Sequence, residues 1–146
     1  DEYIQALCFA GSNTTNLLNL FMKDTSAGAS HNSIGSSSNQ FGEFDVNGFQ
    51  SVIAIKLDDL NQIEGVPSPN HIKLDVDGKE LEILEGASNI LSEVDSILVE
   101  MEGINLDENL EKIENIISMA GLEEELSWRN KGSRRNRLYL RKYSNE

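Results

Sequence analysis

The chain has 146 residues, the usual size of one domain built on one core, and 38% of them are apolar, enough to pack it. Its 25 Asp and Glu against 12 Lys and Arg give a formal net charge of −13, which speaks against nucleic acid and against an anionic membrane surface as partners. No apolar run approaches the ~18 residues of a membrane span, and the one cysteine, Cys8, excludes an internal disulfide and a multi-cysteine metal site and fits a reducing, cytoplasmic compartment.

Residues 3–9, from Tyr3 to Phe9, read as a short buried strand, with Cys8 a small apolar side chain inside it. Residues 11–50 are rich in Ser, Asn and Gly, and the stretch from Asp24 to Gln40 reads as one long loop, because such residues favour local turns over ladders. Leu17, Leu18, Leu20, Phe21 and Met22, just ahead of it, are expected to pack. Val52-Ile53-Ala54-Ile55-Lys56-Leu57 predicts a strand, and His71 to Val76 a second, closed by Asp77-Gly78. Leu81, Leu84, Ala87 and Leu91 recur at three, three and four residues and predict one helix over 79–92.

Ile97-Leu98-Val99 predicts a strand apolar on both faces, as in a parallel sheet covered by helices. Leu106, Leu110, Ile113, Ile117 and Ala120 predict another helix, with Gly121 as its stop. Residues 122–128 and 137–141 suit a closing antiparallel pair with Asn130-Lys131-Gly132-Ser133 in the connection. The order implies an α/β fold with a mostly parallel sheet, in which strands 72–76 and 97–99 are parallel neighbours. Residues 1–50 then hold a strand and a polar loop region, and residues 51–146 the α/β core.

Ligands of open α/β sheets bind outside the carboxyl ends of the strands. Two acidic groups stand at such ends, Asp75 with Asp77 and Glu100 with Glu102. Strand alternation puts Asp75 and Asp77 on one side as a pair. A carboxylate there suits proton removal from a nucleophile, and two or three suit a hard divalent cation, with Asp77 and Glu100 the weaker metal candidates. For Asp77 the favoured reading is instead a turn and a cap on the helix that follows. An acid inside an apolar strand is costly without a purpose, which singles out Asp75, with Lys73 as its candidate ion-pair partner. His31, in the polar loop, is a second catalytic candidate because its pKa lies near neutrality. The basic residues from Arg129 to Lys142 read either as an anion grip or as a solvated complement to an acidic body.

Several segments taken in order resemble one family. They are Ile55-Lys56-Leu57-Asp58-Asp59-Leu60, then Pro69 to Glu80 with Ile72-Lys73-Leu74-Asp75-Val76-Asp77-Gly78-Lys79-Glu80 at its heart, then Leu84-Glu85-Gly86-Ala87, then Ile97-Leu98-Val99-Glu100. Together they are similar to the FkbM-type methyltransferases, closely over about residues 50–103. The resemblance implies a Rossmann-like, S-adenosylmethionine-dependent O-methyltransferase acting on a hydroxyl of a sugar, glycan or small metabolite. It implies a seven-stranded sheet in the order 3-2-1-4-5-7-6, with strand 7 antiparallel. Residues 3–9 would be strand 3, residues 71–76 strand 4, residues 96–101 strand 5, and residues 122–128 and 137–141 strands 6 and 7. Asp75 would sit beside the reactive methyl, and Ala6 and Leu7 near the adenine.

The family's first strand, its glycine-rich cofactor loop and the acid that holds the ribose have no counterpart in these residues, so the resemblance is to the C-terminal portion of the domain, lacking its first two strands. The fragment alone is then expected to be inactive. Without those strands, residues 71–76 form a bare edge. Either residues 3–9 or 51–57 move in beside it, or a second copy pairs there as a homodimer. The alternative to the enzyme is a non-catalytic α/β module that binds a partner or a divalent cation through Asp75, Asp77 and Glu100.

Overall fold

The computed structural model describes residues 4–39, 41–131 and 134–142. Residues 4–9 run outside any strand and are largely exposed, Cys8 among them, so the expected N-terminal strand is not formed there; Tyr3 lies outside the described residues. Pairing begins just after, and the first half of the chain builds a sheet of its own. Its strands are β1 (Ala10–Gly11), β2 (Asn16–Met22), β3 (Ser33–Ile34), β4 (Ser38–Asn39), β5 (Gly42–Glu43) and β6 (Gly48–Ile55). They assemble as β1-β6-β2-β3, with β4 and β5 as a separate pair.

β6 runs antiparallel to β2 along its whole length, with Leu17 opposite Ile53 and Phe21 opposite Phe49, and parallel to β1. This long-range pairing overrides the turn preference of the Asn and Ser residues around it. The stretch expected to be one loop is therefore partly laddered, and Ser33 and Ile34 of β3 are buried against β2; Gln40 lies outside the described residues. Leu17 does not pack as expected, because its face of the ribbon is open and leaves it 69% exposed.

The second half follows the expected alternation more closely. After β6 come α1 (Leu57–Leu60), β7 (His71–Leu74), α2 (Glu80–Glu85), α3 (Ser88–Glu93), β8 (Ser96–Glu100), α4 (Ile104–Asp107), α5 (Leu110–Met119), β9 (Leu122–Glu124), a 3-10 turn at Leu126–Asn130 and β10 (Asn136–Arg141). Lys56-Leu57 thus belongs to the entry into a helical turn rather than to the preceding strand. Gly132 and Ser133, expected in the last connection, lie outside the described residues. The strands order as β7-β8-β10-β9. β7 and β8 are parallel, and β10 is antiparallel to both β8 and β9, as the closing pair requires. The fold is mixed α/β in two main sheets rather than one mostly parallel sheet, since most pairings among the described residues are antiparallel.

Both predicted helices are broken in two. The first stops at Gly86, where a Cβ would lie 2.2 Å from the Ser12 carbonyl oxygen, so the end of β1 fits against the break. Asp58 restarts the helix from a distance: its carboxylate accepts from the amides of Asn89 and Ile90 at 3.0 Å, capping α3. The second breaks between α4 and α5, leaving Leu106 exposed, while Ile113 and Ile117 stay buried and Gly121 ends α5 at φ +80° as the sequence predicts. Leu84, Ala87, Leu91, Ile97, Val99, Ile113, Ile117 and Leu122 form the core between α2, α3, α5 and the second sheet. β7 is the edge of that sheet, and neither residues 4–9 nor β6 moves in beside it. A cavity of about 430 Å³ lies against it, lined by Phe9, Leu57, Leu60, Ile72, Leu74 and Ile83 among others.

Candidate active site

The parallel register sets Leu74 of β7 opposite Val99 of β8. Both are buried, and they anchor the strands just before the chain leaves the sheet. The next residues, Asp75 and Glu100, therefore emerge together at the carboxyl ends. The two carboxyls lie close enough for each to shift the other's pKa. Lys73 Nζ lies 2.8 Å from Asp75 Oδ2, the ion pair the sequence suggests. That hydrogen bond holds the Asp75 carboxyl below the usual range, against a smaller opposing effect of burial. Glu100 moves the other way. Burial, then the charge of Asp75, then Glu102 and Glu80, push its pKa up to about 7. The arrangement is one ionised carboxylate beside one carboxyl that keeps its proton to neutrality.

The turn after β7 overturns the expected pairing of Asp75 with Asp77. The strand ends at Leu74, and Asp77 takes φ +55° with Gly78 at +100°, so alternation is lost. Asp77 does not cap α2, which has no side-chain cap. It faces the polar loop instead: its Oδ2 accepts from the His31 amide at 3.3 Å and lies 3.8 Å from His31 Nδ1. His31 is itself left-handed at φ +64°, and its ring meets Phe41 edge-on at 5.1 Å. The structure thus brings His31 to the turn that follows Asp75, 46 residues away from its partner in sequence.

Glu80 and Asn105 are two site residues that the sequence reading does not single out. Both are fully buried. The Glu80 carboxylate accepts from the amides of Val76 and Gly78, each at 3.0 Å, and from Asn105 Nδ2 at 2.7 Å. Asn105 Nδ2 also donates to the Glu100 carbonyl at 3.3 Å. A signal exists for Glu80, since it closes the Asp-Val-Asp-Gly-Lys-Glu run; nothing local marks Asn105, whose carboxylate partner Glu80 is 25 residues away.

Ala6 and Leu7 are exposed on the segment before β1, and the strand expected to carry them is not formed. Among the described residues no group of three His, Cys, Asp or Glu side chains is arranged to hold a metal ion. Four basic residues of the C-terminal stretch pair with acids: Arg129 binds Glu124, Arg135 binds Glu102 at 2.9 Å, Arg137 binds Glu114 at 2.8 Å, and Lys142 pairs with Glu123. Arg141 turns inward to the carbonyls of Leu91, Val94 and Ala120. This favours the solvated complement over the anion grip. No helix among the described residues is long and apolar enough to cross a membrane.

The methyltransferase FkbM domain matches residues 2–134, nearly the whole chain and the whole of this site. The chain belongs to the FkbM methyltransferase family. It is similar to the hexuronic acid methyltransferase AglP of Haloferax volcanii, at 34% identity over 80 residues, 55% of this chain and 32% of that protein. The chain therefore spans about a third of the length of that relative. No solved structure matches it. The FkbM segments quoted from the sequence fall on α1, β7, the Asp77-Gly78 turn, α2 and β8, the elements that build the acid pair.

Proposed function

We propose that this chain supplies the acceptor side of an S-adenosylmethionine-dependent O-methyltransferase that acts on a hydroxyl of a sugar or small metabolite. The observation that carries the reading is the Asp75–Glu100 pair at the carboxyl ends of two parallel strands in a chain of the FkbM family. The order β7-β8-β10-β9 supports it, because it is the 4-5-7-6 half of the sheet that the resemblance implies. The sugar acceptor is supported by the name of the hexuronic acid methyltransferase relative. The cytoplasm is the compartment proposed, and the open edge of β7 is where a second copy would pair.

S-adenosylmethionine supplies an electrophilic methyl when bound. The residues present fit the neighbourhood of its cationic sulfonium: Asp75 is ionised and 41% exposed at the strand end. Glu100, with a pKa near the working pH, is the group matched to take the proton of the acceptor hydroxyl, and Asp75 positions the pair and stays charged. Of the two roles open to Asp75, base or substrate positioner, this favours the second, because Lys73 makes Asp75 the weaker base. His31 and Asp77 close the loop side of the site.

In the full-length gene product, methyl transfer should rise with pH through about 7 as Glu100 loses its proton. Glu100→Gln should flatten that limb and lower the plateau by roughly a hundredfold. A wild-type limb that survives in Glu100→Gln would refute the assignment of Glu100.

A further inference from the structure

Glu80 is a carboxylate with no exposed surface, and the proposed chemistry does not use it. A buried charge persists only where hydrogen bonds compensate it, and Glu80 has three donors. Two are backbone amides of the turn that follows Asp75. The third, Asn105, belongs to the helical turn that follows Glu100. Asn105 is equally buried, and its amide orientation is dictated by chemistry: Nδ2 faces two acceptors, the Glu80 carboxylate and the Glu100 carbonyl. Its Oδ1 is left without a hydrogen-bond partner among the described residues. An apolar residue would fill the same space without that unmet group, so packing alone does not account for an asparagine here.

We propose that Glu80 and Asn105 are a buried pair of positioning residues that ties the two strand ends together and so holds the Asp75 and Glu100 carboxyls in contact. The pair spans both loops: Glu80 fixes Val76 and Gly78 on one side, and Asn105 fixes the Glu100 carbonyl on the other. The tie leaves Asp75 and Glu100 little freedom to separate, which the mutual repulsion of two carboxylates would otherwise favour. The negative charge of Glu80 adds to this by disfavouring ionisation of Glu100. The charged groups facing Glu100 are Lys73 of β7 and Asp75 just after it, Glu80 from α2, and Glu102 beyond its own strand, itself held by Arg135 just before β10. The proposal rests on reading Asp75 and Glu100 as the reacting centre, but it is tested without methyl transfer.

The test is carbon-detected NMR titration of the Glu100 carboxyl in the 146-residue chain, assigned with Glu100→Gln. In Glu80→Gln, which keeps the shape and removes the charge, the Glu100 midpoint should fall by roughly half a pH unit or more. Asn105→Ala keeps both backbone bonds of Glu80 and removes the tie, and should also lower the midpoint. Glu82→Gln, on the same helix and paired with Lys79, should leave it unchanged. An unchanged Glu100 midpoint in a folded Glu80→Gln or Asn105→Ala chain overturns the proposal. Collapse of both variants, seen as lost circular dichroism, overturns it too, because the pair would then serve only to hold the fold. Failure of the methyltransferase reading would leave these midpoints untouched and shows instead in the transfer assays.

Discussion

Glu100 carries its proton to about pH 7 because burial comes first and three carboxylates, Asp75, Glu102 and Glu80, add to it. The unfolded chain releases that proton near the ordinary value of 4.5. Between these limits the native state binds the proton more tightly than the unfolded state. The stabilisation from this group is therefore complete below about 4.5 and is lost as pH rises through about 7. Asp75 and Glu124 have lowered values, so their contributions are lost only as pH falls below the ordinary carboxylate range, outside this window. Urea denaturation of wild type and Glu100→Gln should show the wild type losing about 1–2 kcal/mol relative to the variant between pH 4.5 and 7.5, after allowance for solvent screening. Parallel pH curves for the two proteins would mean that Glu100 titrates as an ordinary surface acid.

At the scale of elements, the legible parts are those whose apolar residues are satisfied close by. β7 and β8 carry Ile72, Leu74, Ile97 and Val99 on runs short enough for strands, and β9 and β10 flank a turn-rich connection. β2 is illegible as a strand because Asn16 and Asn19 interrupt its apolar residues, while its partner β6 lies about 30 residues on and decides the pairing. Residues 4–9 are apolar enough for a strand, but strand formation needs an edge to pair with, and β1 occupies the register beside β6 instead. The helix breaks are likewise long-range effects. Gly86 has no room for a side chain because the Ser12 carbonyl is backbone and cannot yield. Gly86→Ala should therefore destabilise the chain by about 2–4 kcal/mol, with β1 and β6 losing amide protection first. A loss below about 0.5 kcal/mol would show that the first sheet docks loosely on the α2–α3 junction.

For the whole molecule, the acid pair was within reach of sequence reasoning, while its division of labour was not. Asp75 and Glu100 stand out as acids at the ends of apolar strands, but which of them keeps a proton depends on Lys73, Glu80 and burial acting together. Glu80, Asn105 and the seating of His31 on Asp77 all require the tertiary fold. On the proposed reading the chain supplies strand ends on one side of a methyltransferase site, and its sequence shows no glycine-rich loop leading into an amphipathic helix. A ligand held on one side leaves polar groups facing water, and its ordering cost is not offset. Calorimetry of the 146-residue chain with S-adenosylmethionine should give a dissociation constant weaker than about 100 μM. Low-micromolar binding would mean that the exposed segment before β1 and the cavity along β7 form a far more complete cofactor site than proposed. The most direct measurement of the central claim is labelled methyl transfer to a uronic acid or sugar acceptor by the full-length gene product carrying Asp75→Asn. The account predicts turnover reduced by roughly a hundredfold or more with cofactor affinity changed less than about threefold, because the lost charge acts at the reacting centre. Unchanged turnover would contradict it and leave Asp75 as no more than the ion-pair partner of Lys73.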